Sequence, residues 1–188
     1  MRLFVAVYPP PTALDALARE VSDGLPPLVA PWRAVPVSQW HLTLAFLGEV
    51  AQDRLSELCE RLSRAAGRST PLTLALSGGG AFPAARRGQV LWVGVRGERS
   101  ALDALRRLAD RVGAAARRTG IAMPARAYRP HLTLARCRDP QGVDAASMVA
   151  ALSGYAGPVW PVTEIVLVRS QLAPTTSHHP AARWPLGG

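Results

Sequence analysis

Apolar positions recur along this chain with two different periods, and the switches between them mark out its elements. Residues 3–7 are continuously apolar and stop at Pro9-Pro10-Pro11. That run is at the short limit of a secretion signal's core of about 7 to 15 residues, and it reads better as a first β-strand. Leu14, Leu17, Val21 and Leu25 then fall at helical spacing, predicting a helix over 12–25 that Pro26-Pro27 terminates. An irregular stretch through Pro31-Trp32 leads to a strand over 42–47, closed by Gly48-Glu49. Leu55, Leu58 and Leu62 form the stripe of a helix over 53–64. Residues 72–76 alternate as a strand does, and Ser77-Gly78-Gly79-Gly80 is expected to be a loop. A β-branched run predicts a strand over 90–95, and Leu102, Leu105, Leu108 and Val112 a long helix over 100–118 that stops at Gly120. A strand around 131–135, a weaker helix over 144–152, a strand over 165–168 and a short one over 182–185 complete the pattern. The elements fall into two similar sets. They predict an α+β fold of two pseudo-symmetric lobes, with largely antiparallel sheets facing a central groove and helices outside.

Each set contains the same word. His41-Leu42-Thr43-Leu44-Ala45 recurs letter for letter as His131-Leu132-Thr133-Leu134-Ala135, which uses two of only four histidines. Successive strand residues point to opposite faces, so His41 and Thr43 project together, away from Leu42 and Leu44, and His131 and Thr133 do the same. If the leucines pack beneath the sheet, two imidazoles and two hydroxyls face the groove and can surround one small anion. Each Thr hydroxyl can donate to a phosphate oxygen, and each His can give or take a proton near neutral pH. In-line displacement at phosphorus needs a base on the attacking oxygen and an acid on the departing one, on opposite sides. Two imidazoles across a groove meet that need, and the pair should then give a bell-shaped pH dependence.

Composition adds less. At 188 residues and 48% hydrophobic content, the chain can bury a sufficient core. Its formal charge of +9 comes from 22 basic residues, all Arg, against 13 acidic ones. A basic surface favours phosphate-rich partners, although an Arg-only usage also fits GC-rich codons. Cys59 and Cys137 lie in no zinc spacing and are expected to be reduced and mostly buried. No carboxylate or Cys stands at ligand spacing beside His41 or His131, so no metal and no cofactor are expected. His178-His179 would diverge on a strand, and a flexible polar loop is expected there. No stretch approaches the roughly 20 apolar residues of a membrane span. A cytoplasmic monomer is the simplest expectation.

With these residues in view, the chain resembles the RNA 2′,3′-cyclic phosphodiesterases of the 2H phosphoesterase superfamily, also described as 2′-5′ RNA ligases. The likeness runs over almost the whole length, as a single domain over 1–188 made of two interleaved lobes. It is carried by residues 1–7, by Trp40 through Val50 around the first motif, by Phe82-Pro83 with 90–95, by Arg126 through Arg136 around the second motif, and by Arg183-Trp184-Pro185-Leu186. The resemblance implies metal-free hydrolysis of RNA 2′,3′-cyclic phosphate ends to 2′-phosphomonoesters. By position it makes His41 the proton donor to the leaving 3′ oxygen and His131 the proton acceptor that activates water, with Thr43 and Thr133 as substrate-binding residues. It places Arg136 at the phosphate and Phe46 against the terminal base. Both stand five residues past their histidine, where strand parity alone would put them on the other face unless the strand bulges first. Arg126 and Arg129 could contact RNA phosphates, while Trp40, Trp92 and Tyr128 are expected in the core or groove wall. One departure is Thr175-Thr176-Ser177-His178-His179, where relatives usually carry a Gly-rich loop and a Tyr. A 2′-5′ RNA ligase, a small cyclic-nucleotide phosphodiesterase or a noncatalytic RNA-binding module remain open on the same motif.

Overall fold

A computed structural model of the chain describes residues 1–124, 127–172 and 176–187. Its frame is a nine-stranded antiparallel sheet. The strands are β1 (Arg2–Val7), β2 (Trp32–Ala34), β3 (Leu42–Glu49), β4 (Leu72–Phe82), β5 (Val90–Arg96), β6 (Leu132–Cys137), β7 (Ala156–Val162), β8 (Glu164–Gln171) and β9 (Ser177–Pro185). They lie in the order β7-β4-β5-β6-β3-β1-β8-β9, with the short β2 beside the far end of β6. Four helices are α1 (Pro11–Gly24), α2 (Leu55–Gly67), α3 (Arg99–Arg118) and α4 (Ala146–Leu152).

The order divides into two halves of equivalent topology, β3-β1-β8-β9 and β6-β5-β4-β7, so the α+β, pseudo-symmetric expectation holds. The halves are continuous rather than separate sheets: they join where β3 meets β6, at the pair Leu42↔Leu132. The half β6-β5-β4-β7 is one stretch of sequence, inserted between β3 and β8 of the other half. The helices cross between them, α1 lying against β7 and β4, α2 against β9, and α3 against both β3 and β4.

The helices cover one face only. Leu3, Val5, Val7, Leu42, Leu44, Leu74, Leu91, Val93 and Leu132 point into a core shared with Leu17, Leu58, Leu62, Leu105, Leu108 and Val112 from the helices. In α3 the buried positions Leu105, Leu108, Ala109, Val112 and Ala116 recur at three and four residues, as one helical stripe must. The Thr119 hydroxyl donates to the Ala116 carbonyl at 2.7 Å, and Gly120 at φ +75° turns the chain out of the helix. On the other face of the sheet Phe4, Ala6, Val166 and Val168 form a second, smaller apolar cluster.

Four sequence expectations change. Ser77 through Gly80 is not a loop but the middle of β4. Gly78, at φ +62°, sits where the β4–β5 register shifts, and a Cβ at Gly79 would come within 2.5 Å of Leu152 of α4. The glycines are therefore places of close approach within a strand. β7 escapes a periodicity reading because Pro158 and Pro161 interrupt it, which the sheet tolerates since β7 is an edge strand. β2 is also a strand within the stretch expected to be irregular. Finally, His178-His179 belongs to β9, paired with Ser170 and Arg169 of β8, instead of a flexible loop. Cys59 and Cys137 are free thiols of intermediate burial.

Candidate active site

The two His-x-Thr words meet at the seam of the sheet. His41 and His131 immediately precede β3 and β6, and Leu42 and Leu132 are directly opposite one another, both fully buried on the helix side. Extending this antiparallel register by one residue each way sets His41 opposite Thr133 and Thr43 opposite His131. Alternation turns all four toward the face the helices leave uncovered. Opposed residues in such a pair have Cβ atoms about 5 Å apart, so the four polar side chains share one small patch.

Both imidazoles are held in the same way. His41 Nδ1 donates to the carbonyl of Gln39 at 2.6 Å, and His131 Nδ1 to the carbonyl of Arg129 at 2.7 Å. A carbonyl only accepts, so each Nδ1 carries a hydrogen and proton exchange is directed to Nε2. His41 is pushed down from its usual range to about 4, first by burial, which the Gln39 carbonyl partly offsets, and then by unfavourable electrostatics with His178, Arg136 and His131. The last two act across the seam, from the opposite half of the sheet.

The parity conflict over Phe46 and Arg136 is resolved by a pair of bulges. On β3 the register passes from Ala6↔Thr43 to Val5↔Ala45, skipping Leu44; on β6 it passes from Trp92↔Thr133 to Leu91↔Ala135, skipping Leu134. Each bulge leaves two consecutive residues buried, Leu44 with Ala45 and Leu134 with Ala135, and so resets the alternation. Phe46 thus returns to the face of Thr43, and Arg136 to the face of Thr133. Phe46 is 53% exposed and stands 6.1 Å from Phe4. Arg136 has its guanidinium pKa lowered by burial.

Aromatic rings wall both histidines, differently in each half. The ring of His41 stacks on Phe4 at 4.7 Å between centroids, lies 5.7 Å from Tyr8, and meets His178 edge-on at 5.3 Å. The ring of His131 lies 4.9 Å from Phe82 and 6.1 Å from Trp92. Trp92 can lie there because its partner across the ladder is Gly80, where a Cβ would run into the indole ring. Trp92 is therefore groove wall, whereas Trp40 is core, its indole N–H donating to the Val35 carbonyl at 2.9 Å.

The sequence reading missed Gln39, Phe4, Tyr8 and Phe82 as neighbours of the histidines, and took His178 for loop. Gln39 acts at both ends: its carbonyl orients His41 while its amide donates to the Thr176 carbonyl at 2.7 Å, beside the start of β9. A main-chain contact of this sort has no side-chain signature; the aromatic positions of β1 were readable only as strand. Arg129 contributes its carbonyl, and Arg126 lies outside the described residues. A hollow of about 820 Å³ lined by Leu72, Arg96, Ser100 and Arg107 lies near the start of α3, and none of the site residues lines it.

The fold is that of a class of phosphoesterase. The model of the family described as LigT-like phosphoesterase matches residues 5–92 and 97–177, and the chain belongs to that family. An RNA 2′,3′-cyclic phosphodiesterase of Geobacillus stearothermophilus is 34% identical over 186 residues, which is 98% of this chain but 57% of that protein's length. The Archaeoglobus fulgidus protein of the same name is 32% identical, with 93% of each chain covered. Among solved structures, Escherichia coli LigT complexed with 3′-AMP superposes with a TM-score of 0.78 at 29% identity, covering 100% of this chain and 98% of that one.

Proposed function

We propose that this chain hydrolyses 2′,3′-cyclic phosphate ends of RNA to 2′-phosphomonoesters, without a metal ion. The observation that carries the reading is the seam: two identically tethered imidazoles, each set opposite the threonine of the other half. The names of the relatives in Geobacillus and Archaeoglobus point the same way.

In this reading the phosphate sits over Leu42 and Leu132, its nonbridging oxygens accepting from Thr43 and Thr133 and paired with Arg136. Water enters from the β6 half, giving a proton to Nε2 of His131 as its oxygen bonds phosphorus. The bond from phosphorus to the 3′ oxygen breaks, and Nε2 of His41 gives that oxygen its proton. The 2′-phosphomonoester and a 3′ hydroxyl result, with the pair's proton now on His131 and returned by exchange with solvent.

The division of labour follows from the asymmetry of the two motifs. The leaving oxygen stays attached to the ribose, so the acid must stand on the nucleoside's side of phosphorus. Phe46 is an exposed ring able to stack on a base, its counterpart Arg136 is a cation suited to phosphate, and Phe46 belongs to the half that holds His41. Burial and the neighbouring basic groups hold the His41 pKa low. A phosphate anion beside it supplies the countercharge that favours imidazolium.

Incubating chelator-treated protein with a cyclic-phosphate oligonucleotide and separating the products tests the reading. A 2′-phosphate end is expected. A 3′-phosphate, or no product at any pH between 5 and 9, overturns it. Ligation to an added 5′-hydroxyl RNA in preference to hydrolysis assigns the same site to 2′-5′ bond formation instead.

A further inference from the structure

A phosphate can be met symmetrically, since two imidazoles and two threonines can treat its oxygens alike, but a nucleoside lies on one side only. Residues that break the equivalence of the two halves are therefore the ones able to read it. His178 is such a residue. Strand alternation on β9 sends it to the uncovered face, while Ser177 and His179 bond one another at 3.0 Å on the other. It meets Phe4 edge-on at 5.0 Å and His41 at 5.3 Å, whereas the aromatic residue of β7, the strand of the other half equivalent to β9, is Trp160, which packs in the helix-side core.

Its ring is held by packing and is short of a partner. Nδ1 is closed off from solvent and makes no hydrogen bond. A buried N–H without an acceptor is costly, so the ring's hydrogen belongs on Nε2, the nitrogen a ligand would meet. Burial and the neighbouring His179 both disfavour a second proton, which leaves a neutral donor beside the general acid. The strand start that carries His178 is itself tied to the site by Gln39, whose amide reaches the Thr176 carbonyl while its own carbonyl holds His41. The ring is thus fixed relative to the acid rather than loosely placed near it.

We propose that His178 is a substrate-binding residue that donates a hydrogen bond from Nε2 to the nucleoside of the cyclic-phosphate end, on the Phe46 side of the groove. The proposal rests on the cyclic-phosphate hydrolysis proposed above and assigns that site a nucleoside subsite: the phosphate is met by groups from both halves, the nucleoside by Phe46 and His178 from one. His178 takes no part in proton transfer, so its removal should act on binding more than on the chemical step.

The test compares His178→Phe, which keeps a ring against Phe4 and His41, with His178→Gln, whose amide reaches about as far as Nε2. Titration calorimetry with a nucleoside 2′-monophosphate and with inorganic phosphate is run beside steady-state turnover of the cyclic-phosphate RNA. His178→Phe should weaken the nucleoside 2′-monophosphate about 10-fold, leave inorganic phosphate binding within about 2-fold, and raise KM by more than it lowers kcat; His178→Gln should recover part of the loss. Equal affinity of His178→Phe and wild type for the nucleotide overturns the proposal, as does equal weakening of inorganic phosphate, which would place the contact on the phosphate instead. If the wild-type protein binds the nucleotide through His178 yet turns over no cyclic phosphate, the catalytic reading fails while the subsite stands.

Discussion

The two halves of the sheet agree where they hold the backbone of the site and differ where they line it. Both carry a histidine tied through Nδ1 to the carbonyl two residues earlier, a threonine two residues later, and a bulge at the next leucine. At the fifth position after the histidine one half has Phe46 and the other Arg136. On the adjacent strand the position facing each threonine is Ala6 in one half and Trp92 in the other. In the proposed reaction the shared geometry treats phosphorus from two sides, and the substitutions within it give each side its own partner.

Removing the shared part should have the largest effect. His41→Ala and His131→Ala are each expected to lower kcat about 10³-fold or more, with far-UV circular dichroism unaltered. Because the two act on one proton-transfer event, the double variant should be little worse than either single one. If either variant keeps more than a tenth of wild-type turnover, that histidine is not an acid or base in the reaction.

Acid sensitivity separates the halves next. A histidine in the unfolded chain titrates near 6.5, whereas folded His41 does so at about 4. Between these values the unfolded state holds the extra proton, so stability present above pH 6.5 is lost as pH falls toward 4. His41→Asn, which can still donate to the Gln39 carbonyl, should escape this loss. Urea unfolding at pH 7 and pH 4 should show wild type losing about 3 kcal/mol more than the variant. Equal losses would mean that His41 is not buried as a neutral ring. Adding a nucleoside 2′-phosphate should raise the His41 pKa by more than about 1 unit in an NMR titration; no rise would hand the acid's role to His131.

The arrangement at the seam was legible from the sequence because it is written in a repeated five-residue word, and strand alternation alone separates His41 and Thr43 from Leu42 and Leu44. The fold class and most helices followed from periodicity for the same reason. What stayed hidden was whatever depends on pairing across the sheet. Parity counting put Phe46 and Arg136 on the wrong face, since a bulge at Leu44 or Leu134 leaves no mark in one strand's own sequence. The triple glycine read as a loop because its real partners, Trp92 and Leu152, are far away along the chain. His178 could not be placed before β9 was known to run beside β8.

The position after the bulges sharpens the comparison further. Arg136→Gln should reduce kcat/KM about 10²-fold, as the loss of a charge-assisted contact to a developing phosphate charge does. Phe46→Ala should cost about 10-fold, mostly in KM, in line with about 1 to 3 kcal/mol for one stacked base. An Arg136 effect confined to long RNAs and absent for a dinucleotide would move that guanidinium from the scissile phosphate to the backbone of the substrate.

The smallest expected effect lies beneath Trp92. Gly80 and Trp92 face one another across β4 and β5, and the indole fills the space a side chain at Gly80 would take. Gly80→Ala must therefore push the ring aside, at a cost of about 1 to 3 kcal/mol for overpacking a filled site. Trp92 lies against both Phe82 and His131, so the displacement should reach the β6 half's imidazole and leave His41, walled by Phe4 and Tyr8, where it is. Two-dimensional NMR of the ring nitrogens should show His131 shifted and His41 still, with turnover lowered less than 10-fold. Shifts of equal size at both rings would show that the two walls move as one body, and that the division between the halves ends at their lining residues.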